Sequence, residues 1–199
     1  MYDFEKLMSV TPQQARDVLM QADLLHDVQA INTALDKLAS DITAAVANDV
    51  YQPQPVIVVS VMNGGLILAG HLLPRLNFPL SVDFIHATRY RNQTSGGELV
   101  WKVQPHQSIQ GRTLIVLDDI LDEGYTLDAI VQAFTEQGAA KIITAVLCEK
   151  IHDRRKPGVR CDFIGLTVPD RYVFGFGMDY KGYHRNANGI YAVAAQHLK

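Results

Sequence analysis

Cysteine is scarce in this sequence of 199 residues, which contains only Cys148 and Cys161, and these do not form a C-x-x-C pair. A disulfide framework and a thiolate zinc site therefore have little support, and a reducing compartment such as the cytosol fits best. The first residues lack a basic stretch followed by an apolar one, and no apolar run is long enough to cross a bilayer. We therefore expect a protein that is neither secreted nor inserted in a membrane.

Positive charge is not in excess either, since 18 Lys and Arg residues are set against 21 Asp and Glu residues, for a net charge of −3. This balance gives no support to nucleic-acid binding. The basic run at residues 154–160 lacks interleaved aromatic residues, and we interpret it as a solvated loop. With 48% hydrophobic and 20% charged residues, the composition is that of an ordinary globular protein, and the length suits one domain.

Apolar residues recur along the chain at spacings that alternate between those of helices and those of strands. Residues 11–48 carry apolar side chains three and four apart, among them Leu24, Leu25 and Val28, which predicts two helices. The β-branched run at residues 56–59 is typical of a strand buried on both faces. The further predicted elements are a helix at 65–73, strands at 80–86, 99–103 and 114–117, a helix that begins near 127 and ends at Gly138, and a strand at 142–147.

This alternation predicts an α/β fold with a central, mostly parallel sheet flanked by helices. Residues 162–199 change character, with short strand-like pieces, many glycines and aromatics, and a helical period only from about residue 190. We predict a single domain over residues 1–199. The N-terminal helices occupy about residues 1–50, the core sheet covers residues 51–161, and a base-binding cap with the C-terminus covers residues 162–199.

Residues 114–127 combine an apolar strand with four carboxylates within six residues, followed by a glycine and the start of a helix. In open α/β sheets, ligands bind beyond the carboxyl ends of the strands, and a helix N-terminus favours phosphate. The carboxylates would then face another part of the same ligand, such as sugar hydroxyls or a bound Mg²⁺ ion. The alternative is a solvated acidic turn in which Asp122 or Thr126 merely caps the helix.

The whole segment resembles the phosphoribosyl-pyrophosphate motif of the type I phosphoribosyltransferases. The resemblance implies their fold, with a small cap, or hood, and a flexible lid loop. It implies that Asp118 and Asp119 accept hydrogen bonds from the ribose hydroxyls. In the purine branch of the family, the residue matching Asp122 faces N7 of the base as its general base. The loop that would hold the 5′-phosphate consists of Asp122, Glu123, Gly124, Tyr125 and Thr126.

Several positions differ from what is common in the family, and one of them is Arg89, where a serine often precedes the matching tyrosine. Members often have a threonine at the position of Glu123 and a lysine or an arginine-like side chain at that of Tyr125. Asn63, Gly64 and Gly65 resemble the family's pyrophosphate loop, where many members use a lysine at the position of Asn63. That loop can include a cis peptide bond that does not involve proline. By itself, a pair of glycines would equally suit a tight turn between a strand and a helix.

Features of the second half of the chain resemble the purine branch in particular. Lys150 follows an apolar strand and matches a lysine that donates a hydrogen bond to O6 of the base, which favours hypoxanthine and guanine over adenine. Residues 168–180 resemble the purine-binding cap. The resemblance implies that Tyr172 stacks on the base, that Val173 contacts its edge through backbone groups, and that Asp179 helps to hold magnesium and pyrophosphate.

The resemblance also has implications for the lid, the leaving group and the metal. Arg185 would reach the pyrophosphate, and a polar stretch with Arg89 and Tyr90 resembles the lid that excludes water, although an ordinary exposed loop is the alternative. The expected Mg²⁺ ligands are Asp118, Asp119 and Asp179. The seven histidines are scattered without the spacing of a helical zinc site, and none is expected to be catalytic.

The resemblance therefore implies a magnesium-dependent enzyme that transfers a phosphoribosyl group from phosphoribosyl pyrophosphate to N9 of hypoxanthine or guanine. The products would be IMP or GMP and pyrophosphate, and the enzyme would be a homodimer or homotetramer. One alternative is a non-catalytic regulator of the same fold that senses phosphoribosyl pyrophosphate or nucleotides. Another is a transferase that prefers xanthine or adenine.

Overall fold

The computed structural model describes residues 10–50, 55–89 and 99–198 of the protein. The helices are α1 (Pro12–Gln21), α2 (Val28–Ala45), α3 (Gly65–Leu72) and α4 (Tyr125–Glu136), with short 3₁₀ turns at Leu73–Arg75 and Ala195–His197. The strands are β1 (Asp23–His26), β2 (Val56–Val61), β3 (Leu80–Arg89), β4 (Leu99–Val103), β5 (Thr113–Leu121), β6 (Lys141–Ile151), β7 (Phe163–Pro169), β8 (Val173–Phe174) and β9 (Ile190–Ala192).

The central sheet has the strand order β4-β3-β2-β5-β6-β7. Neighbouring strands are parallel except at the edge, where β4 pairs antiparallel with β3. All six residues of β2 are buried, as expected for a strand with helices on both faces. Ile31 and Leu68 of α2 and α3 pack on one face, and Ile130 and Phe134 of α4 pack on the other. The predicted mostly parallel sheet flanked by helices is confirmed.

Both predicted N-terminal helices are present, and each begins at a residue that caps it. Thr11 and Gln14 form a reciprocal capping box at the start of α1, in which the Thr11 hydroxyl accepts from the Gln14 N–H at 3.2 Å. Asp27 Oδ1 accepts from the Ala30 N–H at 2.9 Å and caps α2. Because α2 begins only after Asp27, the residues between the helices adopt another structure.

That intervening segment corrects part of the sequence prediction. Leu24 and Leu25, assigned to a helical pattern, lie in β1, which pairs antiparallel with β9 in a small second sheet of order β1-β9-β8. The hood therefore contains a strand from the N-terminal part of the chain. The helical period expected from about residue 190 is also wrong, since β9 and a short 3₁₀ turn occupy that region. Backbone pairing with distant segments outweighs local periodicity at both places.

The boundary between core and cap also differs from the prediction. Strand β7 pairs in parallel with β6, from Ala145 with Phe163 to Ile151 with Pro169. The core sheet therefore continues beyond residue 161. No helix in the described part of the chain combines the length and apolar character needed to cross a membrane.

Asp83 is a buried carboxylate of β3 that fixes the segment after β4. Its side chain is 3% exposed and accepts from the backbone N–H groups of Phe84 at 2.8 Å, His106 at 2.8 Å and Gln107 at 2.9 Å. Burial opposes ionisation, but the hydrogen bonds outweigh it and hold the pKa of Asp83 below its ordinary value. The charged form of Asp83 therefore stabilises the fold.

We expect Asp83→Asn to lower the free energy of unfolding by about 1–3 kcal/mol at neutral pH, because an amide turns one acceptor oxygen into a donor facing backbone N–H groups. The folded-state pKa of Asp83 is depressed, so its contribution is complete above the ordinary value of 3.8 and is lost as the pH falls through the folded-state pKa. Urea denaturation of both proteins over a pH series measures this. A stability difference that is absent at neutral pH, or that grows on acidification, would contradict the assignment.

Candidate active site

The carboxyl ends of β2, β5 and β6 meet at one edge of the sheet because these strands are parallel neighbours. The loop after β2 carries Asn63, the end of β5 carries Asp118 and Asp119, and Lys150 lies near the end of β6. Asp122 lies just beyond β5, and its Oδ2 accepts a hydrogen bond from Lys150 Nζ across this edge at 2.6 Å. The structure thus brings together groups that are separated by up to 87 residues in the chain.

Asp118 and Asp119 form an acidic pair with little compensating charge. The Asp119 N–H donates to Asp118 Oδ1 at 2.9 Å. Burial and the charge of Asp119 raise the pKa of Asp118 well above its ordinary value, and burial raises that of Asp119 although Arg185 opposes the shift. Arg185 Nη1 is 3.9 Å from Asp119 Oδ2. Hydroxyl donors or a cation at this position would stabilise the ionised pair.

The loop from β5 into α4 turns at Gly124, which has φ of 82° and ψ of −1° and precedes the first helical residue. A β-carbon at Gly124 would lie 2.7 Å from Val159 Cγ1, so both the conformation and the space require glycine. Among the described residues, no side chain caps this helix start. The alternative in which Asp122 or Thr126 merely caps the helix is therefore wrong. Backbone N–H groups in the first turn of a helix suit a phosphate.

The basic segment after β6 packs against this loop. The Lys156 N–H donates to the Glu123 carbonyl oxygen at 2.9 Å. Lys156 Nζ forms an ion pair with Asp128 and lies 5.8 Å from the ring centroid of Tyr125. A lysine distant in sequence thus places its ammonium group beside the start of α4.

The loop after β2 approaches the acidic pair so closely that glycine is required. The peptide bond between Met62 and Asn63 is cis, as the resemblance allowed. A β-carbon at Gly64 would lie 1.9 Å from Asp119 Oδ2, and one at Gly65 would lie 2.6 Å from the Leu117 carbonyl oxygen. The glycine pair is therefore explained by contact with β5 and not by a tight turn alone.

The hood closes over this edge of the sheet. Gly177 has φ of 109°, and a β-carbon there would lie 2.3 Å from the Gly64 carbonyl oxygen. Arg185 Nη1 donates to the Gly177 carbonyl oxygen at 2.6 Å, and its Nη2 forms an ion pair with Asp179. Arg185 therefore links Asp179 of the hood to Asp119 of the sheet.

Tyr172 and Val173 supply the wall of the hood. Tyr172 is 40% exposed, and its ring packs edge-to-face on Tyr180 with 5.5 Å between centroids. Burial raises the pKa of the Tyr172 hydroxyl, which accepts from the Lys181 N–H at 3.3 Å. Val173 is buried in β8, where it pairs with Ala192. The rigid Tyr172 ring leaves an accessible aromatic surface for a planar ligand.

His152 is a member of this site that the sequence reasoning missed. Its Nε2 is 2.7 Å from Asp122 Oδ1, and its side chain is 2% exposed. Burial opposes ionisation of Asp122, but hydrogen bonds from Lys150 and His152 and the charge of Lys150 outweigh it and hold the pKa of Asp122 below its ordinary value. His152 directly follows the last residue of β6, and this place beyond the carboxyl end of a buried strand was the available signal.

Other predicted residues are only partly located. Arg89 is the last residue of β3, and Tyr90, the second predicted lid residue, lies outside the described residues. Over the described ranges, no group of three His, Cys, Asp or Glu residues is arranged to hold a metal ion. Asp118, Asp119 and Asp179 therefore do not form a cage made of protein ligands alone.

An acidic turn and a close glycine loop at the carboxyl edge of a mostly parallel sheet, covered by a hood, define a type I phosphoribosyltransferase fold. Comparison with known families agrees with this class. The family model described as "Phosphoribosyl transferase domain" matches residues 21–181, and the chain therefore belongs to the phosphoribosyltransferase family. The family and fold expected from the sequence are confirmed.

Individual relatives cover most of the chain. This chain is 30% identical over 165 residues to the hypoxanthine-guanine phosphoribosyltransferase of Bacillus subtilis. The aligned region covers 81% of this chain and 91% of that protein. A hypoxanthine phosphoribosyltransferase from Staphylococcus aureus superposes with a TM-score of 0.80 at 24% identity, over 89% of this chain and 94% of that one. A mutant of the hypoxanthine phosphoribosyltransferase from Trypanosoma cruzi, in a ternary substrate complex, superposes with a TM-score of 0.82 at 24% identity. The match covers 88% of this chain and 96% of that one.

Proposed function

We propose that this protein transfers the 5-phosphoribosyl group of phosphoribosyl pyrophosphate to N9 of hypoxanthine or guanine, with Mg²⁺, to give IMP or GMP and pyrophosphate. The observation that carries the proposal is that the acidic pair of Asp118 and Asp119, the loop after β2 and the hood meet at one edge of the sheet. The names of the relatives, hypoxanthine-guanine and hypoxanthine phosphoribosyltransferases, agree with it.

The donor would span the acidic pair and the two loops. Asp118 and Asp119 would accept hydrogen bonds from the ribose hydroxyls, and the loop of residues 122–126 would hold the 5′-phosphate. Asn63, Gly64, Gly65 and Arg185 would hold the pyrophosphate. In this arrangement the protein contributes mainly positioning and electrostatic stabilisation of the departing group.

A magnesium ion fits the acidic residues, which are short of positive charge. Burial raises the pKa of both Asp118 and Asp119. Mg²⁺ is commonly bound by one or two carboxylates together with substrate phosphates, and this agrees with a site that needs oxygens from the donor. Asp118, Asp119 and Asp179 are the residues that would hold it. Bound there, it would offset the negative charge of the pyrophosphate.

The base would bind between Tyr172 and the sheet. Val173 would contact its edge through backbone groups, and Lys150 would donate to O6. As N9 forms its bond to C1′ and the bond from C1′ to the pyrophosphate oxygen breaks, the proton on N7 would pass to Asp122. Lys150 Nζ donates a hydrogen bond to Asp122 Oδ2. On binding of the base, this ammonium group would move away from Asp122 and donate to O6 instead.

The protein would also have a lid, an oligomeric form and a cytoplasmic location. We expect Arg89 and Tyr90 to belong to a lid that excludes water from the reacting sugar. The active form would be a homodimer or homotetramer that acts on small molecules and not on nucleic acid or membranes. Cys148 and Cys161 are free thiols, and this agrees with a cytoplasmic protein.

Turnover with hypoxanthine, guanine, xanthine and adenine in turn tests the proposal, with phosphoribosyl pyrophosphate and Mg²⁺ present and the product followed by its absorbance. We expect nucleotide formation with hypoxanthine and guanine and little with adenine, because Lys150 would face the donor amino group of adenine. Addition of a chelator should abolish turnover. Binding of phosphoribosyl pyrophosphate without turnover of any base would instead identify a regulator of the same fold.

A further inference from the structure

The two carboxylate oxygens of Asp122 have different partners. Lys150 Nζ donates to Oδ2 at 2.6 Å, whereas His152 Nε2 lies 2.7 Å from Oδ1. Lys150 and His152 are both largely buried, with side chains 13% and 2% exposed. The Asp122 side chain is 41% exposed, so its orientation is defined by these two buried donors.

The hydrogen bonds of His152 determine which of its nitrogens carries the proton. The Arg154 N–H donates to Nδ1 at 3.0 Å. A nitrogen that accepts a hydrogen bond carries no proton, so the ring is the neutral tautomer with hydrogen on Nε2. His152 is therefore the donor to Asp122 Oδ1, and it contributes a directed hydrogen bond without a formal charge.

The segment that carries His152 is held in place from two sides. Arg154 forms a bidentate ion pair with Asp170, which follows β7. Its Nη1 lies 2.5 Å from Oδ2, and its Nη2 lies 2.7 Å from Oδ1. Arg155 forms an ion pair with Glu149 and donates to the Lys150 carbonyl oxygen at 3.1 Å. The backbone N–H of Arg154, in this anchored segment, orients the imidazole through its hydrogen bond to Nδ1. A carboxylate oriented through such a chain keeps its direction when another partner leaves.

We infer that His152 is a positioning residue that holds Asp122 Oδ1 through its Nε2 proton, so that Oδ2 is directed at N7 of the base once Lys150 has moved to O6. This inference rests on the proposed function. Without His152, departure of Lys150 would leave the carboxylate free to rotate, and fewer bound bases would meet a correctly oriented acceptor. The donor site at Asp118 and Asp119 does not include this hydrogen bond.

A purely structural histidine would fill space and anchor the turn after β6 without affecting the chemistry. Two variants separate these roles. His152→Leu fills the space but donates no hydrogen bond, whereas His152→Gln can present an N–H group near the position of Nε2. We expect His152→Leu to lower kcat by about 10- to 100-fold, in the range found for residues that orient a functional ligand. The KM for phosphoribosyl pyrophosphate should change much less, and His152→Gln should recover most of the lost kcat.

His106→Leu is the matched control because it removes another contact between a histidine and a carboxylate. His106 Nδ1 lies 3.2 Å from Asp83 Oδ1, in a part of the fold outside the site. We expect this variant to keep the kcat of the unsubstituted protein. Thermal melting of all three variants checks that they are folded under the assay conditions.

The imidazole nitrogens of His152 can also be followed without catalysis. Nitrogen-15 NMR of the unsubstituted protein, with His152→Gln used to assign the resonance, should show the neutral tautomer protonated at Nε2. A proton on Nδ1 would overturn the inference, and so would a folded His152→Leu with unchanged kcat, or a His152→Gln as impaired as His152→Leu. An unsubstituted protein that turns over no base would instead refute the proposed function, and this role with it.

Discussion

Replacement of Asp122 by asparagine is expected to lower kcat by about 10²- to 10⁴-fold, the usual contribution of a general acid or base. The amide is nearly isosteric but cannot take the N7 proton. The low pKa of the Asp122 carboxyl, held down by Lys150 and His152 against the effect of burial, keeps it ionised before the base binds. Removal of the Lys150 hydrogen bond on base binding would raise that pKa towards a value better suited to proton transfer.

The affinity for phosphoribosyl pyrophosphate should fall far less than kcat in Asp122→Asn, because the substitution keeps the backbone amides proposed to hold the 5′-phosphate and the ribose and pyrophosphate contacts lie on other residues. Steady-state kinetics with hypoxanthine and calorimetric titration of the donor measure the two effects separately. Asp153→Asn makes the same charge change at a neighbouring exposed position and should retain activity. An unchanged kcat in Asp122→Asn would remove the general-base assignment.

Gly64→Ala is expected to reduce kcat/KM by at least about 10²-fold, since a misplacement near 1 Å of reacting groups has that effect. The added methyl group would lie 1.9 Å from Asp119 Oδ2, whereas ordinary contacts begin at 3.4 Å. Asp119 or the loop must therefore move by more than an ångström. A β-carbon at Gly177 would lie 2.3 Å from the Gly64 carbonyl oxygen, so the hood packs directly against the loop and restricts its movement.

The effect of Gly64→Ala should appear as weaker binding of phosphoribosyl pyrophosphate, because the ribose and pyrophosphate positions are displaced together. Gly70→Ala provides the control, since a β-carbon at this exposed position of α3 meets nothing within 4 Å. It should leave kcat/KM unchanged and raise the free energy of unfolding by about 0.5–1 kcal/mol. Donor affinity in Gly64→Ala equal to that of the unsubstituted protein would contradict the proposed pyrophosphate loop.

Features that depend on nearby residues were predictable from the sequence. The strand, acidic turn, glycine and helix of residues 114–136 follow each other without interruption, and the structure has them in that order. Lys150 was also predictable, because a residue near the end of a buried parallel strand must lie at the ligand-binding edge. Strand β2 was predictable because a β-branched run between breakers has few other stable arrangements.

Features that depend on distant partners were not predictable. Leu24 and Leu25 fit a helical period locally, yet they lie in β1, whose strand partner β9 comes more than 160 residues later. An ion pair also links two distant segments of the hood, since Arg171 Nη2 is 2.6 Å from Asp23 Oδ2. His152 is 30 residues from Asp122, and spacing alone could not distinguish it from the other histidines.

The sequence by itself determined the order of strands and helices between residues 56 and 147, the acidic turn and the family, because each of these depends on residues that are contiguous or regularly spaced. The tertiary structure alone decided that Gly64 contacts Asp119 and that β1 completes the hood. It also decided that Lys150 and His152 each contact a different carboxylate oxygen of Asp122. These contacts depend on distances of a few ångströms between separate segments, and such distances are fixed only when the segments pack together.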